Sequence, residues 1–107
     1  MGLRDRLIDA GLIAVNGIKI SDIGGNCPVQ ADGLIDEAPF YFRARGSRWS
    51  LSVGGPDVVG SPDWYHEEPY GDGPFDAGWM EEAEARAFIE KGAALYRAAL
   101  AGPAPDA

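Results

Sequence analysis

On both sides of the dipeptide Gly46-Ser47, apolar and polar side chains alternate strictly. Glycine in the first position suits a two-residue type II′ hairpin loop. With that loop, the apolar residues of both strands fall on one face, and a slip of one residue would expose them all to water. The pattern therefore predicts the hairpin and its register together. The predicted pairs are Phe40–Val53, Phe42–Leu51, Ala44–Trp49 and Arg45–Arg48.

A second hairpin is predicted immediately before the first. We take Glu37-Ala38 as its loop, with a loop longer than two residues as the alternative, because this dipeptide is poor chemistry for a primed turn. Asp32 is then expected opposite Arg43, as a favourable cross-strand pair. The other predicted pairs are Ile35–Phe40, Gly33–Phe42 and Ala31–Ala44. Upstream, a turn at Asn16-Gly17 and a short strand carrying Ile18, Ile20 and Ile23 complete the predicted antiparallel meander.

Helical spacing dominates the last quarter of the chain. Apolar residues recur on one helical face, and glutamates crowd the first turn, where the helix dipole favours anions. Gly102-Pro103 is a typical helix end. The face is formed by Ala85, Phe88, Ile89, Gly92, Leu95, Tyr96, Ala99 and Leu100. We predict an α+β fold, with a small antiparallel β-meander packed against this C-terminal α-helix and a short N-terminal helix at 3–10. Residues 1–101 form a single domain, and 102–107 a flexible C-terminal tail.

The net charge of −8, on 107 residues with a sequence pI of about 4.4, limits the classes of partner. Phosphates of nucleic acids and anionic membranes would be repelled, whereas a basic protein would be attracted. Cys27 is the single cysteine, so an internal disulfide is impossible. No apolar run is long enough for a membrane span. We expect a cytoplasmic protein that binds a basic protein surface, such as a nucleic-acid-binding complex.

The strongest functional candidate is the segment 49–85, which contains no lysine or arginine but many carboxylates and aromatic rings. Aromatic anchors among unopposed acids are typical of a surface for a basic partner. In the alternative interpretation, the rings of Trp64, Tyr65, Phe75 and Trp79 attach the segment to the core while the acids remain in water. The candidate partner-binding residues are Asp57, Asp63, Trp64, Tyr65, Glu67, Glu68, Tyr70, Asp72, Asp76, Glu81 and Glu82.

Residue types that carry catalysis or bind metals are sparse. His66 lies beside Glu67 and Glu68, but zinc sites normally need several histidine or cysteine ligands. Cys27 precedes Pro28 in a predicted turn, which favours an inert thiol. We expect no metal site, no cofactor and no catalytic residue.

Arg43, Arg45 and Arg48 are predicted to form a basic stripe, beside Tyr41, on the polar face of the hairpin. Such a stripe resembles a small nucleic-acid or phosphate patch. We favour the alternative that Asp32, Asp36 and the acidic segment neutralise it within the fold.

Two blocks, Pro39-Phe40-Tyr41-Phe42-Arg43-Ala44-Arg45-Gly46 and Gly78-Trp79-Met80 through Ile89, resemble small uncharacterised proteins of bacteria and their phages. The size and acidity are also similar to those of anti-CRISPR inhibitors. This resemblance implies a non-enzymatic, phage-type inhibitor that occupies a basic nucleic-acid-binding surface of a partner protein. The alternatives are an accessory or immunity protein with another partner, a small-ligand module that uses the aromatic 64–79 loop, and an enzyme.

Overall fold

A computed structural model describes residues 14–102 as an antiparallel sheet covered by one helix. The five strands follow the chain in spatial order, so the sheet is a meander. The α+β prediction is confirmed for the sheet and the C-terminal helix. The predicted helix at 3–10 and residues 103–107 of the predicted tail lie outside the described residues. The elements are β1 (Ile18–Gly24), β2 (Val29–Ile35), β3 (Ala38–Arg45), β4 (Arg48–Val53), β5 (Trp64–Pro69), a 3-10 turn (Asp76–Trp79) and helix α1 (Glu82–Ala101).

The hairpin of β3 and β4 has the predicted register. Ala44 pairs with Trp49, Phe42 with Leu51 and Phe40 with Val53. Gly46 has a positive φ of 64°, as the first position of a type II′ loop requires. All six apolar side chains are buried on the face that packs against α1.

The predicted register of the preceding hairpin is wrong by two residues. Its loop is Asp36-Glu37, and both residues have positive φ, of 50° and 70°. These φ values match a type I′ loop, and the short side chain of aspartate lets its backbone tolerate the left-handed conformation. Gly33 therefore pairs with Phe40, and Asp32 pairs with Tyr41 rather than with Arg43. A shift of two keeps each side chain on its face, so the core is unaffected.

Aromatic stacking joins the sheet to the helix. The Trp49 ring lies 5.9 Å from that of Phe42 and 5.0 Å from that of Phe88 on α1. One turn farther along α1, Gly92 contacts Leu51 closely, because a Cβ placed on Gly92 would lie 2.5 Å from Leu51 Cδ2. A glycine at this position lets the helix approach the sheet.

The C-terminal half of α1 is tied to the opposite end of the sheet. Arg97 donates to both carboxylate oxygens of Asp36, at 2.7 and 2.8 Å, and to the carbonyl of Asn16 at 2.7 Å. The hydrogen bond from Arg97 holds the pKa of Asp36 below its usual range. The two turns that flank β1 and β2 are therefore held by one guanidinium.

The contact of Gly92 with Leu51 predicts that alanine at position 92 destabilises the protein, whereas alanine usually stabilises a helix relative to glycine. In an exposed helix interior, glycine to alanine stabilises by about 1 kcal/mol. Gly92→Ala should instead lower the free energy of unfolding by about 1–3 kcal/mol, because the new methyl group overpacks a buried site. Urea denaturation measures the difference.

A second background provides the control for this prediction. In Leu51→Ala the obstructing side chain is gone, so adding Gly92→Ala should there be neutral or stabilising. A Gly92→Ala protein that is more stable than the wild type would contradict the close contact.

Candidate protein-binding surface

The acidic aromatic segment is divided between the two faces of the sheet. Along β5, side chains alternate, since successive residues of a strand point to opposite faces. Trp64 and His66 pair with Val53 and Leu51 and lie on the face covered by α1. Tyr65 and Glu67 pair with Ser52 and Ser50 and lie on the second face. One continuous patch made of the whole segment is therefore not formed.

Two of the three predicted anchors are contacts within the fold. Trp64 is half-buried, with its ring 5.6 Å from that of Tyr96 on α1. Tyr70 is also half-buried, and its ring meets Phe88 edge-on at 5.8 Å. Tyr65 differs, because 54% of its surface is exposed. For Trp64 the placement favours the alternative interpretation, in which its ring attaches the segment to the core. Tyr70, which that interpretation does not include, makes a contact of the same kind, whereas the exposed Tyr65 does not fit it.

Several of the predicted acids have partners inside the domain. Glu68 accepts hydrogen bonds from Lys91 at 2.7 Å and from His66 at 2.8 Å, and these lower its pKa. Glu67 pairs with Arg48 at 2.8 Å. These carboxylates serve the fold and carry less free charge than the sequence alone indicates.

The acids of the two long loops lie at opposite ends of the sheet. Asp57 and Asp63 belong to the loop between β4 and β5, where Asp57 accepts a hydrogen bond from the Val59 amide at 3.1 Å. Asp72 and Asp76 belong to the loop that follows β5. There, Asp76 accepts from the amides of Asp72 and Gly73, both at 2.9 Å, and closes a tight turn.

The second of these loops holds two exposed aromatic rings. Phe75 is 66% exposed and Trp79 is 63% exposed, although both are large apolar side chains. The small residues between them are buried and fix the turn: Ala77 N–H donates to the Gly46 carbonyl at 2.8 Å, and the Gly78 carbonyl accepts from Cys27 N–H at 2.7 Å. With Ala77 and Gly78 facing the core, the two rings face outward.

Trp79 forms one wall of a cleft of about 260 Å³. Glu81 and Glu82, at the start of α1, lie along the same cleft, and the end of β1 with the turn that follows it, from Ile23 to Asn26, also lines it. Glu82 is paired with Arg86 at 3.4 Å. We call the cleft residues Trp79, Glu81 and Glu82, together with Asp72 and Phe75 of the loop that leads to them from β5, the aromatic–acidic edge.

The residue choice at this edge was only partly predictable. The sequence predicts Asp72, Glu81 and Glu82 as partner-binding residues. Phe75 and Trp79 are not among the predicted binding residues, and the alternative interpretation places both in the core. The available signal was the pair Ala77-Gly78, which is small enough to lie against backbone. A Cβ on Gly78 would lie 2.8 Å from Cys27 Sγ, so the close approach leaves room for no larger residue.

In the part of the chain that the structure describes, no three histidine, cysteine, aspartate or glutamate side chains come together as a metal-binding group. Within residues 14–102, no helix has an apolar stretch long enough to cross a membrane. Comparison with protein-family models, with curated proteins and with solved structures found no match to this chain.

Tyr70 provides a test of the loop geometry by titration. Its hydroxyl donates to Glu84 at 2.5 Å, and this hydrogen bond, followed by burial, raises the pKa of Tyr70 to about 12. Because the folded-state pKa is raised, the stability contributed by the protonated phenol is complete below pH 10 or so and is lost as the pH rises toward 12. Burial and the hydrogen bond to Glu67 also raise the pKa of Tyr65, so the Tyr70 step is identified by substitution. Tyrosinate absorbance should show a late step near pH 12 that Tyr70→Phe removes.

Glu84→Gln should move that late step toward the ordinary tyrosine pKa, since the phenol then loses its anionic acceptor. Glu90→Gln, an equal charge change at an exposed position farther along α1, should leave it unchanged. An identical titration of the wild type and Glu84→Gln would contradict the hydrogen bond.

Proposed function

We propose that this protein is a small non-enzymatic binding protein that occupies a basic, nucleic-acid-binding surface of a partner protein in the cytoplasm, as a phage-type inhibitor does. The observation that carries the proposal is the exposed indole of Trp79 beside Glu81 and Glu82 in one cleft. An exposed tryptophan in a cleft rimmed by carboxylates has the composition of an interface centre rather than that of an ordinary surface.

Rigidity supports the choice of this edge as the binding surface. The 3-10 turn is held by backbone hydrogen bonds to Gly46 and Cys27, which belong to two different loops. Trp79 is thus presented by a fixed backbone, and little conformational freedom has to be lost on binding. A preorganised aromatic anchor of this kind contributes more affinity than the same ring on a mobile loop.

Charge supports a basic partner. Asp72 and Glu81 have no side-chain ion pair among residues 14–102, and no lysine or arginine occurs between Trp49 and Ala85. Their carboxylates can take the place of phosphates on a surface that normally holds nucleic acid. Opposite charges accelerate the encounter, so association should slow as salt rises and screening shortens the range to about 8–10 Å.

The test begins with capture of a partner from a host-cell lysate on the immobilised full chain. The captured protein is then purified, and its complex is challenged with duplex DNA and with RNA. We expect nucleic acid to release the partner, because this protein and the nucleic acid would compete for the same basic surface. The proposal is contradicted if no basic protein is captured, or if neither DNA nor RNA dissociates the complex.

Substitution of the two tryptophans separates an anchor from a core residue. Trp79→Ala should weaken the purified complex by about 30-fold or more, which corresponds to about 2 kcal/mol. Its melting temperature should change little, since the ring is exposed. Trp64→Ala should chiefly lower stability, because its ring packs against Tyr96. The reverse assignment, with Trp64 as the binding residue, would overturn the choice of surface.

Charge removal needs a matched control, since any loss of acid changes the net charge. Asp72→Asn combined with Glu81→Gln should slow association, and Glu37→Gln combined with Glu90→Gln should not, although both pairs remove two charges. Glu37 lies in the β2–β3 turn at the opposite end of the sheet. Equal effects of the two pairs would mean that only net charge matters and that the edge has no specific role.

A further inference from the structure

The three arginines of the β3–β4 hairpin are gathered on the second face of the sheet. Arg43 and Arg45 are two residues apart on β3, and Arg48 lies directly opposite Arg45 on β4. Like charges directly opposite one another destabilise an antiparallel pair. The protein has a net charge of −8, so acids that could pair with these arginines are plentiful, and the question is which acids do so.

The two aspartates expected to neutralise the arginines do not pair with them. Asp36 is bound by Arg97. Asp32 lies opposite Tyr41 in the observed register rather than opposite Arg43, and it forms no ion pair among residues 14–102. Glu67 does reach the cluster, but its ion pair is with Arg48. Among residues 14–102, neither Arg43 nor Arg45 forms an ion pair. The sequence-based expectation that the fold neutralises the stripe is therefore met at one arginine of the three.

Arg43 carries a second unmet requirement. Its Nε atom is buried and has no hydrogen-bond partner among the described residues. A buried donor without an acceptor costs about 1–3 kcal/mol, and more when the group is charged. An acceptor that arrives from outside the chain would recover this cost.

The arginines surround a cleft of about 330 Å³. Ser50 also lines the cleft, between Arg43 and Glu67 in the strand register, so its hydroxyl lies beside the guanidinium groups. The exposed ring of Tyr65 forms part of the wall. The volume lies at the small end of the range for small-molecule sites.

We propose that this arginine cleft binds the phosphate group of a small phosphorylated molecule. Planar guanidinium groups present paired N–H donors that match the oxygens of a phosphate, and several of them can share one phosphate. The ligand is small, because a long polyanion would also meet the repulsion of the remaining acidic surface. The proposal concerns a different face from the aromatic–acidic edge and does not depend on the proposed function.

Glu67 acts as an internal competitor in this site. Its carboxylate already holds Arg48 at 2.8 Å and accepts a hydrogen bond from the Tyr65 hydroxyl at 2.9 Å. A phosphate entering the cleft takes over Arg48 and is repelled by the remaining carboxylate. Removing the charge of Glu67 should therefore strengthen phosphate binding, whereas a merely structural role of the Glu67–Arg48 pair predicts no gain.

The experiment is a titration of the full chain with pyrophosphate at constant ionic strength, followed by calorimetry and by the NMR signals of the arginine Nε–H groups. Saturable binding with a shift of the Arg43 Nε–H signal is expected, since that donor gains its acceptor. Absence of saturable binding at millimolar pyrophosphate, or saturation without a change at Arg43, would overturn the proposal.

Three variants locate the site. Arg45→Gln should weaken binding by about tenfold or more, as loss of a charge-assisted hydrogen bond implies. Arg86→Gln removes the same charge on α1, on the other side of the sheet, and should leave the affinity unchanged. Glu67→Gln should bind several-fold more tightly. Equal weakening by Arg45→Gln and Arg86→Gln would show that binding follows net charge alone, and the site would be rejected.

Two further ligands distinguish the source of the phosphate. ADP that binds more tightly than pyrophosphate, with the excess lost in Tyr65→Leu, would identify a nucleotide whose base stacks on the phenol ring. Equal affinities would identify recognition of the phosphate group alone. Either result supports a small-molecule site. Tighter binding of single-stranded DNA than of both small ligands would refute it.

Discussion

The indole of Trp49 lies between Phe42 on the neighbouring strand and Phe88 on helix α1, and it is almost completely buried. Through this stack the sheet fixes the position of the N-terminal half of the helix. Tyr70 can then pack on the far side of Phe88, so the loop after β5 is held against the helix. Trp79 faces solvent beside Glu81 as a result, and the candidate binding surface depends on a contact that lies outside it.

The two hairpins show which part of a register a sequence determines. Around Gly46, the apolar pattern and the turn residue agree, and the predicted pairing of Trp49 with Ala44 is the observed one. In the preceding hairpin the alternation allows shifts of two residues equally well, since each keeps Ala31 and Gly33 on the same face. Only the turn decides, and the left-handed conformation of Asp36 and Glu37 is not evident from the residue types.

The sequence predicts which segment carries the candidate site, but it does not predict which side chains of that segment share one surface. Composition alone indicates that 49–85 is acidic and aromatic, but it does not tell that β5 sends Trp64 and Tyr65 to opposite faces. The outward position of Trp79 follows from the burial of Ala77 and Gly78, which is a tertiary contact with other loops. Similarly, the sequence does not show that Asp36 binds Arg97, and this pairing leaves Asp36 unavailable to Arg45.

Within residues 14–102, each of the two outer strands of the meander has one edge without a pairing strand, and such an edge can recruit further chains. Strand β5 carries Glu67 and Glu68 and ends at Pro69, which has no N–H to donate. Strand β1 contains an irregularity between Ile20 and Asp22 that interrupts its pairing surface. Both are devices that discourage edge-to-edge growth of sheets, so the molecule can display exposed aromatic rings at high concentration without its sheet serving as a template for aggregation.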